Sequence, residues 1–508
     1  MSTAAPPVLE VEDAEWHRLS RRMLLIHPVI EIGRALPALA GLFIAGTSHG
    51  SPWPGLIGTV LVAAFSLTRW FTTRLRITPQ QVQLRHGLLR RKSIATGRDR
   101  IRTVDVTSHL LHRVLGLARV VIGTGSNDRR GGGRLILDGL TVDAATRLRN
   151  ELLHRPPIEG TAPAPTAEPG DVELARLDTR WIRYAPFTLS GVVTGLVIWG
   201  FYWRVAGEGG VNLARVGPFR SVVHALRAMP TGQRVTVVAL GLIVFVAVTS
   251  TVGYILAFWN FRLIRHPGGT LQVTRGLITT RATSIERRRL VGATISEPLP
   301  LRAVGAARVV AVATGLRTGR GAERGGEVLL PPAPLPFGVA LVQRVLDGTS
   351  AATSPLLRHG TAARRRRLVR GVLPGLLLSA VLAIVWAAGG PAWPLLVSSA
   401  LVVAGAALGV DRAAALGHGR DDGYLVTRGG SLVRRRSVLD EDAIIGWNLR
   451  STFFQRRLGL VSLEATTAAG RQGYHVTDVP AAEAAAIVGA ISPDLLQQFR
   501  TAPPTSSQ

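Results

Sequence analysis

A chain of 508 residues that is 47% hydrophobic and only 18% charged is too apolar for a disordered protein and too sparsely charged for an ordinary soluble one. It contains no cysteine, which excludes disulfides, thiolate-bound zinc, iron–sulfur clusters and thiol nucleophiles. The formal charge of +28, with Lys92 the single lysine, suits either nucleic acid or an anionic membrane surface, and the position of the arginines relative to apolar runs decides between them.

Residues 1–28 read as a cytoplasmic N-terminal segment. Its acidic opening (Glu10, Glu12, Asp13, Glu15) and the lack of a short apolar core argue against a cleavable signal. The first of three apolar hairpins occupies 29–70, with spans at 29–46 and 53–67; crossing a hydrocarbon core of about 30 Å takes about 20 apolar residues. Glu31 and Arg34 fall in the first turns of the leading span, where they can pair at i,i+3 or reach back to the interface. A polar unit covers 71–155, and a Pro/Ala-rich, extended linker covers 156–180. The second hairpin (181–260) has spans at 184–203 and 235–259 around an extracytoplasmic loop at 204–234. A second polar unit (261–347) and a basic linker (348–367) lead to the third hairpin (368–410). Its spans, 368–388 and 392–410, turn tightly at Gly389, Gly390 and Pro391. A third polar unit (411–495) precedes a tail at 496–508 that is expected to lack fixed structure.

Most of the ten tryptophans, Trp53, Trp70, Trp203, Trp259, Trp386 and Trp393 among them, fall near span ends, where an amphipathic ring prefers the headgroup zone. Arginines flank the outer sides of the first and third hairpins and are missing from the third turn. That bias sets both termini and all three polar units in the cytoplasm. The middle hairpin has arginines on both sides and takes its orientation from its neighbours.

The three polar units share one punctuation. VQLRHG at 82–87 corresponds to LQVTRG at 271–276 and YLVTRGG at 424–430, and each returns to glycine in an Arg-x-x-Gly step, at Arg113–Gly116, Arg302–Gly305 and Arg456–Gly459. The spacing from Gly87 to Gly116, from Gly276 to Gly305 and from Gly430 to Gly459 is identical. Apolar strands follow at 118–123, 307–313 and 460–465. Beyond Gly/Arg-rich turns comes a further strand, at 134–137, 327–330 and 473–476. Each unit closes on a helix: 142–153 with Thr141 as N-cap, 337–346, and 481–491 behind Pro480. Pro331, Pro332, Pro334 and Pro336 are expected to make the end of the second unit irregular.

Paired spans followed by V-x-L-x-x-G-L-L-x-R at 82–91, the Arg-x-x-Gly step, an apolar strand and a closing helix resemble the bacterial pleckstrin-homology-like membrane proteins of the YdbS/YdbT type, in their longer, three-module form. The resemblance covers about residues 20–495. It implies an integral membrane protein with α-helical hairpins plus α+β modules: six transmembrane helices in three pairs, each pair followed by a PH-like, strongly bent seven-stranded sheet or barrel with one C-terminal helix. It implies membrane lipids as partners and a smaller related PH-like membrane protein as a heteromeric partner, and it carries over no catalytic residue.

Candidate contacts for anionic lipid headgroups are Arg90, Arg91 and Lys92, then Arg364, Arg365, Arg366 and Arg367, and Arg434, Arg435 and Arg436. Near an anionic bilayer each adds about 1 kcal/mol of attraction. The competing reading is that they fix topology or discourage edge pairing of strands. Phe453–Phe454 beside Arg456–Arg457 is the one basic–aromatic patch; it reads as core or hairpin packing, and nucleic acid is not expected. His109 and His112 have only Asp105 as a nearby carboxylate, Asp440–Glu441–Asp442 reads as a surface loop, and no P-loop, G-x-G-x-x-G, H-E-x-x-H or G-x-S-x-G string occurs. The sequence therefore points to no enzyme, metal or cofactor. It reads as a scaffold or interaction protein at the inner face of a bacterial plasma membrane, with a transporter or channel built from the six helices as the alternative.

Overall fold

The computed structural model describes residues 17–153 and 170–200 with gaps, and 217–314 and 328–493 without interruption. The N-terminal residues 1–16, most of the span at 29–46, much of the span at 184–203 beyond Thr188, Arg90, Arg91, the linker before Gly170 and the tail lie outside the described residues.

The first module begins with β1 (His17–Arg18), a helix α1 (Trp53–Thr72), and strands β2 (Arg74–Ile77), β3 (Gln81–His86) and β4 (Lys92–Gly97). Its second half is β5 (Thr103–Ser108), the one-turn helix α2 (Leu110–Val114), β6 (Leu117–Gly123), β7 (Arg134–Thr141) and the closing helix α3 (Val142–Leu153). Strand β8 (Val172–Arg176) and a 3-10 helix (Thr179–Thr188) come next, then α4 (Gly217–Ala228) and α5 (Thr231–Phe258). The second module has β9 (Arg262–Arg265), β10 (Leu271–Arg275), β11 (Thr280–Ile285) and β12 (Leu290–Pro298). Behind them stand α6 (Leu299–Ala303), β13 (Ala306–Ala313), β14 (Val328–Pro334) and α7 (Leu335–Val345). Helices α8 (Gly360–Ala387) and α9 (Trp393–Ala415) introduce the third. It comprises β15 (Gly417–Asp421), β16 (Tyr424–Gly429), β17 (Val433–Asp440), β18 (Ile444–Arg450), α10 (Phe453–Arg457), β19 (Leu460–Thr467), β20 (Gly473–Pro480) and α11 (Ala481–Ile491).

Among the described residues three helices, α5, α8 and α9, are long and apolar enough to cross a membrane by length and composition. Their apolar side chains, such as Leu242, Ile384 and Leu396, are exposed, as they would not be in a water-soluble body. The basic run ahead of the third hairpin is not a linker: α8 starts at Gly360, so Arg364–Arg367 ride on its first turns. Likewise Tyr184 and Thr188 belong to the 3-10 helix, where Trp181 packs on Phe337 at 5.1 Å between ring centroids.

The repeat punctuation has a common physical cause. Each Arg-x-x-Gly step is a one-turn helix ended by a glycine in the left-handed region, at φ 68° for Gly116, 67° for Gly305 and 64° for Gly459. The carbonyl of that glycine accepts the first N–H of the closing helix in all three modules, from Val142 at 3.2 Å, Leu335 at 3.0 Å and Ala481 at 3.0 Å. The earlier glycine is needed for close approach: a Cβ on Gly276 would stand 2.0 Å from the Thr279 carbonyl oxygen, and one on Gly430 2.1 Å from that of Val433. Thr141 caps α3 as expected, its Oγ1 accepting from the Ala144 N–H at 3.2 Å. The proline run at 331–336 does not dissolve the second module's end. Strand β14 persists at the edge of its sheet, where missing N–H donors are tolerated, with register shifts against β13, and α7 then begins with Pro336 near its N-terminus.

The chain divides into two compact units, residues 1–171 with 189–286, and residues 172–188 with 287–508. The division falls inside the second module, between β11 and β12. In the first unit β7, β6 and β5 of module one continue into β11, β10 and β9 of module two as one sheet. Beside it β1–β4 form a separate sheet, and α3 drops Ala145 and Leu148 onto Val104, Val120, Ile122 and Leu137. In the second unit the order is β14-β13-β12-β17-β16-β15, again joining two modules, while β18-β19-β20 form a sheet of three. The strands expected at 118–123, 134–137, 307–313, 460–465 and 473–476 are present, but the third module has six strands, β15–β20, rather than the seven the resemblance implied, and hydrogen bonding runs across module borders.

Candidate functional site

The two borders are built alike. At the first, β11 pairs antiparallel with β5, with Arg281 opposite Thr107 and Ser284 opposite Val104. At the second, β17 pairs with β12, with Arg435 opposite Ser296 and Val438 opposite Ala293. Moving Thr107 by the Gly87-to-Gly276 interval lands on Ser296, and moving Arg281 by the Gly276-to-Gly430 interval lands on Arg435, so the register is the same. A buried Thr294–Ser437 hydroxyl pair at 2.9 Å marks the middle of the second border.

The arginine of the Arg-x-x-Gly step clamps the neighbour. Arg113 Nη1 donates to the Leu277 carbonyl at 3.0 Å, and Arg302 Nη1 donates to the carbonyl of Ser431, the equivalent position, at 3.5 Å. Arg302 also pairs with Asp411 near the end of α9 at 3.0 Å. Sequence reasoning found these arginines as spacing and missed their task; their recurrence one turn before an invariantly spaced glycine was the available signal.

The candidate headgroup residues separate by location. In α8, Arg364 and Arg365 are exposed, whereas Arg366 and Arg367 turn inward to one carboxylate, Asp478, which is fully buried. Gln455 Nε2 donates to the same carboxylate at 2.8 Å. Lys92 lies in β4; Arg90 and Arg91 fall outside the described residues. On β17, Arg434 meets Asp411 at 2.9 Å, and Arg436 donates to the carbonyls of Ser354 at 2.7 Å and Ala351 at 3.1 Å. Burial, together with Arg471 and Arg308, pushes the Arg435 guanidinium down to about 10. Arg428 hydrogen-bonds the last carbonyls of α9, those of Ala415 at 3.1 Å and Ala414 at 3.3 Å.

Three sequence expectations are revised. Phe453 and Phe454 are not core: they are 54% and 70% exposed on α10, with Arg457 lying 5.0 Å over the Phe453 ring. His112 turns to Asp138 rather than Asp105, at 3.3 Å, and Arg119 Nε donates to the other oxygen at 3.0 Å. Burial alone would raise the Asp138 carboxyl; the hydrogen bonds from His112 and Arg119 outweigh it and hold the group below its ordinary value. The acidic run at 440–442 does structural work too: Asp440 accepts from the Asp442 N–H at 3.1 Å and Glu441 pairs with Arg420 at 2.6 Å.

A buried histidine pair, unforeseen in the sequence, lies near the start of α8. His359 Nδ1 faces the Thr477 carbonyl at 2.9 Å and must donate to it, so its Nε2 is free to accept from His418 Nδ1 at 3.1 Å. This chain is satisfied with both rings neutral. Burial lowers the pKa of His359, and burial with the neighbouring ring takes His418 from 6.5 to about 4. The unfolded chain therefore binds more protons between those values. Stability is fully present above pH 6.5 and is lost as pH falls toward 4, by about 3 kcal/mol. Denaturant unfolding of the detergent-solubilised protein at stepped pH is expected to show this loss, and His418→Gln to flatten it.

Sheets closed by a C-terminal helix, repeated along the chain and joined strand to strand, define a protein of tandem PH-like modules. The model of the bacterial PH domain family matches residues 27–156 and 363–494, which span the first and third modules. The chain belongs to that family. No curated protein and no solved structure matches it.

Proposed function

We propose that the protein is a membrane-held scaffold whose three PH-like modules lie on the cytoplasmic face of a bacterial plasma membrane, with both termini on that side. The reading rests above all on the sheet continuity between modules, which makes strand pairing their mode of contact. Three apolar, exposed helices supply the membrane anchorage. Six helices in three hairpins remain the layout that the charge pattern favours. The exposed Arg364 and Arg365, at the base of α8, are the residues best placed for anionic headgroups. The modules bind protein, including a smaller PH-like membrane relative, and carry out no chemistry.

Affinity purification of the tagged full chain from detergent-solubilised membranes tests this. A reproducible stoichiometric partner, of the same or a different chain, is the expected result. A lone chain without any partner in several detergents would overturn the reading.

A further inference from the structure

Each sheet border uses the third strand of one module's front hairpins and the first strand of the preceding module's back sheet. Two such strands have no neighbour on their outer side among the described residues: β4 at the front of module one and β18 at the back of module three. They are the counterparts of the strands already paired. The interval that carries Ser296 along the repeat ends at Arg450, and the one that takes Arg281 back ends at Lys92.

Strand β18 has the character of an interrupted border. Leu449 is 58% exposed and Ile445 69%, whereas Ile295, the counterpart of Leu449 in module two, is 1% exposed. The bulge between Ile444 and Gly446 does not protect this edge, because β12 carries the same bulge between Leu290 and Gly292 and still pairs with β17. Neither strand contains proline, and β18 has no charge before Arg450, so two usual defences of an open edge are missing. Arg456, the third member of the clamp series, occupies the place from which Arg113 and Arg302 reach the next module. Leu88 is the sequence equivalent of their acceptors Leu277 and Ser431.

We infer that β18 of one chain pairs antiparallel with β4 of a second copy, in the register of the two internal borders, so that Ser93 stands opposite Leu449 and Ala95 opposite Trp447. Along the chain the back sheet of each module takes the front hairpin of the module that follows. After module three, the next front hairpin is that of module one in another copy. Such a head-to-tail contact is heterologous and builds a ring or an open row of chains in the membrane plane. The inference deepens the scaffold reading by naming the partner.

The absence of cysteine allows a direct test. Two differently tagged full-length chains, one carrying Ser93→Cys and the other Leu449→Cys, are co-expressed and oxidised in membranes. A disulfide-linked species bearing both tags is expected. It should be absent when Leu449→Cys is replaced by Asn448→Cys, whose side chain points to the opposite face of the strand. As a second measurement, native mass spectrometry of the cysteine-free protein should show more than one copy, reduced at least tenfold by Leu449→Asp, a change at an exposed position. A single-copy protein, disulfides formed only between chains carrying the same tag, or β18 captured by a different protein would each overturn the inference. The last of these would leave the scaffold reading standing, while a lone chain with no partner would remove both.

Discussion

Replacing Asp478 by alanine is expected to destabilise the second unit by about 3–5 kcal/mol, the usual cost of removing one partner from a buried ion pair. The carboxylate is fully buried at the end of β20, and it is the point at which α8 is tied to the third module. Arg366 is 8% exposed and Arg367 19%, so neither regains water when its partner is removed. Gln455 loses its acceptor as well, and it is held in place by its reciprocal bonds with Thr452 at the start of α10. Asp478 also has φ 60°, a conformation that asparagine tolerates and alanine resists. Asp478→Asn therefore isolates the charge: it keeps the backbone and one acceptor oxygen, and is expected to lose less than the alanine variant. Chemical unfolding of the purified protein in detergent checks the order wild type, asparagine, alanine. Equal stability of all three would show that the arginines find other partners.

What was legible in the sequence was local. The closing helices at 142–153 and 481–491 were readable because cap, proline and apolar periodicity agree within one short window, and the structure gives them the same bounds. The repeat glycines were readable for a similar reason, since a left-handed turn and a close backbone approach each demand glycine whatever lies elsewhere. Strand partners were not readable. Alternation tells which face of β11 or β17 is buried, but says nothing about which strand lies beside it, and the partner belongs to another module. Asp478 was invisible for the same reason, because its partner Arg366 is 112 residues away. Phe453 and Phe454 were misjudged because an apolar pair beside arginines resembles a core edge; it stands instead on a one-turn helix next to an open strand. The candidate basic clusters were visible as charge, but whether each arginine meets solvent or a carbonyl depends on the helix base and strand ends brought to it by the fold.

Gly405→Ile is expected to separate α8 from α9, at a cost of about 1–3 kcal/mol from overpacking alone. Without a hydrophobic driving force between helices in lipid, close backbone contact through small residues does much of the work of association. The third hairpin has two facing G-x-x-x-G pairs, Gly371 with Gly375 on α8 and Gly405 with Gly409 on α9. A Cβ on Gly405 would lie 2.2 Å from the Gly371 carbonyl oxygen, and one on Gly371 2.3 Å from that of Gly405; at Gly375 the nearest atom, a methyl of Val402, would be 2.9 Å away. The first two clashes are with backbone, so no side-chain rotation relieves them, and the helices must move apart or slide. Nearer the turn the Ser379 hydroxyl donates to Ser398 at 2.9 Å, which places a reporter pair on the same interface. In the cysteine-free chain, Ser379→Cys with Ser398→Cys should form a disulfide on mild oxidation, and adding Gly405→Ile should lower its yield about tenfold or more. Gly232→Ile, at a position with nothing within 4 Å of its missing Cβ, should leave the yield unchanged and serves as the control for added bulk. If the cross-link survives Gly405→Ile at full yield, the glycine contact does not hold this pair together, and the short turn at Gly389 and Gly390 must be sufficient by itself.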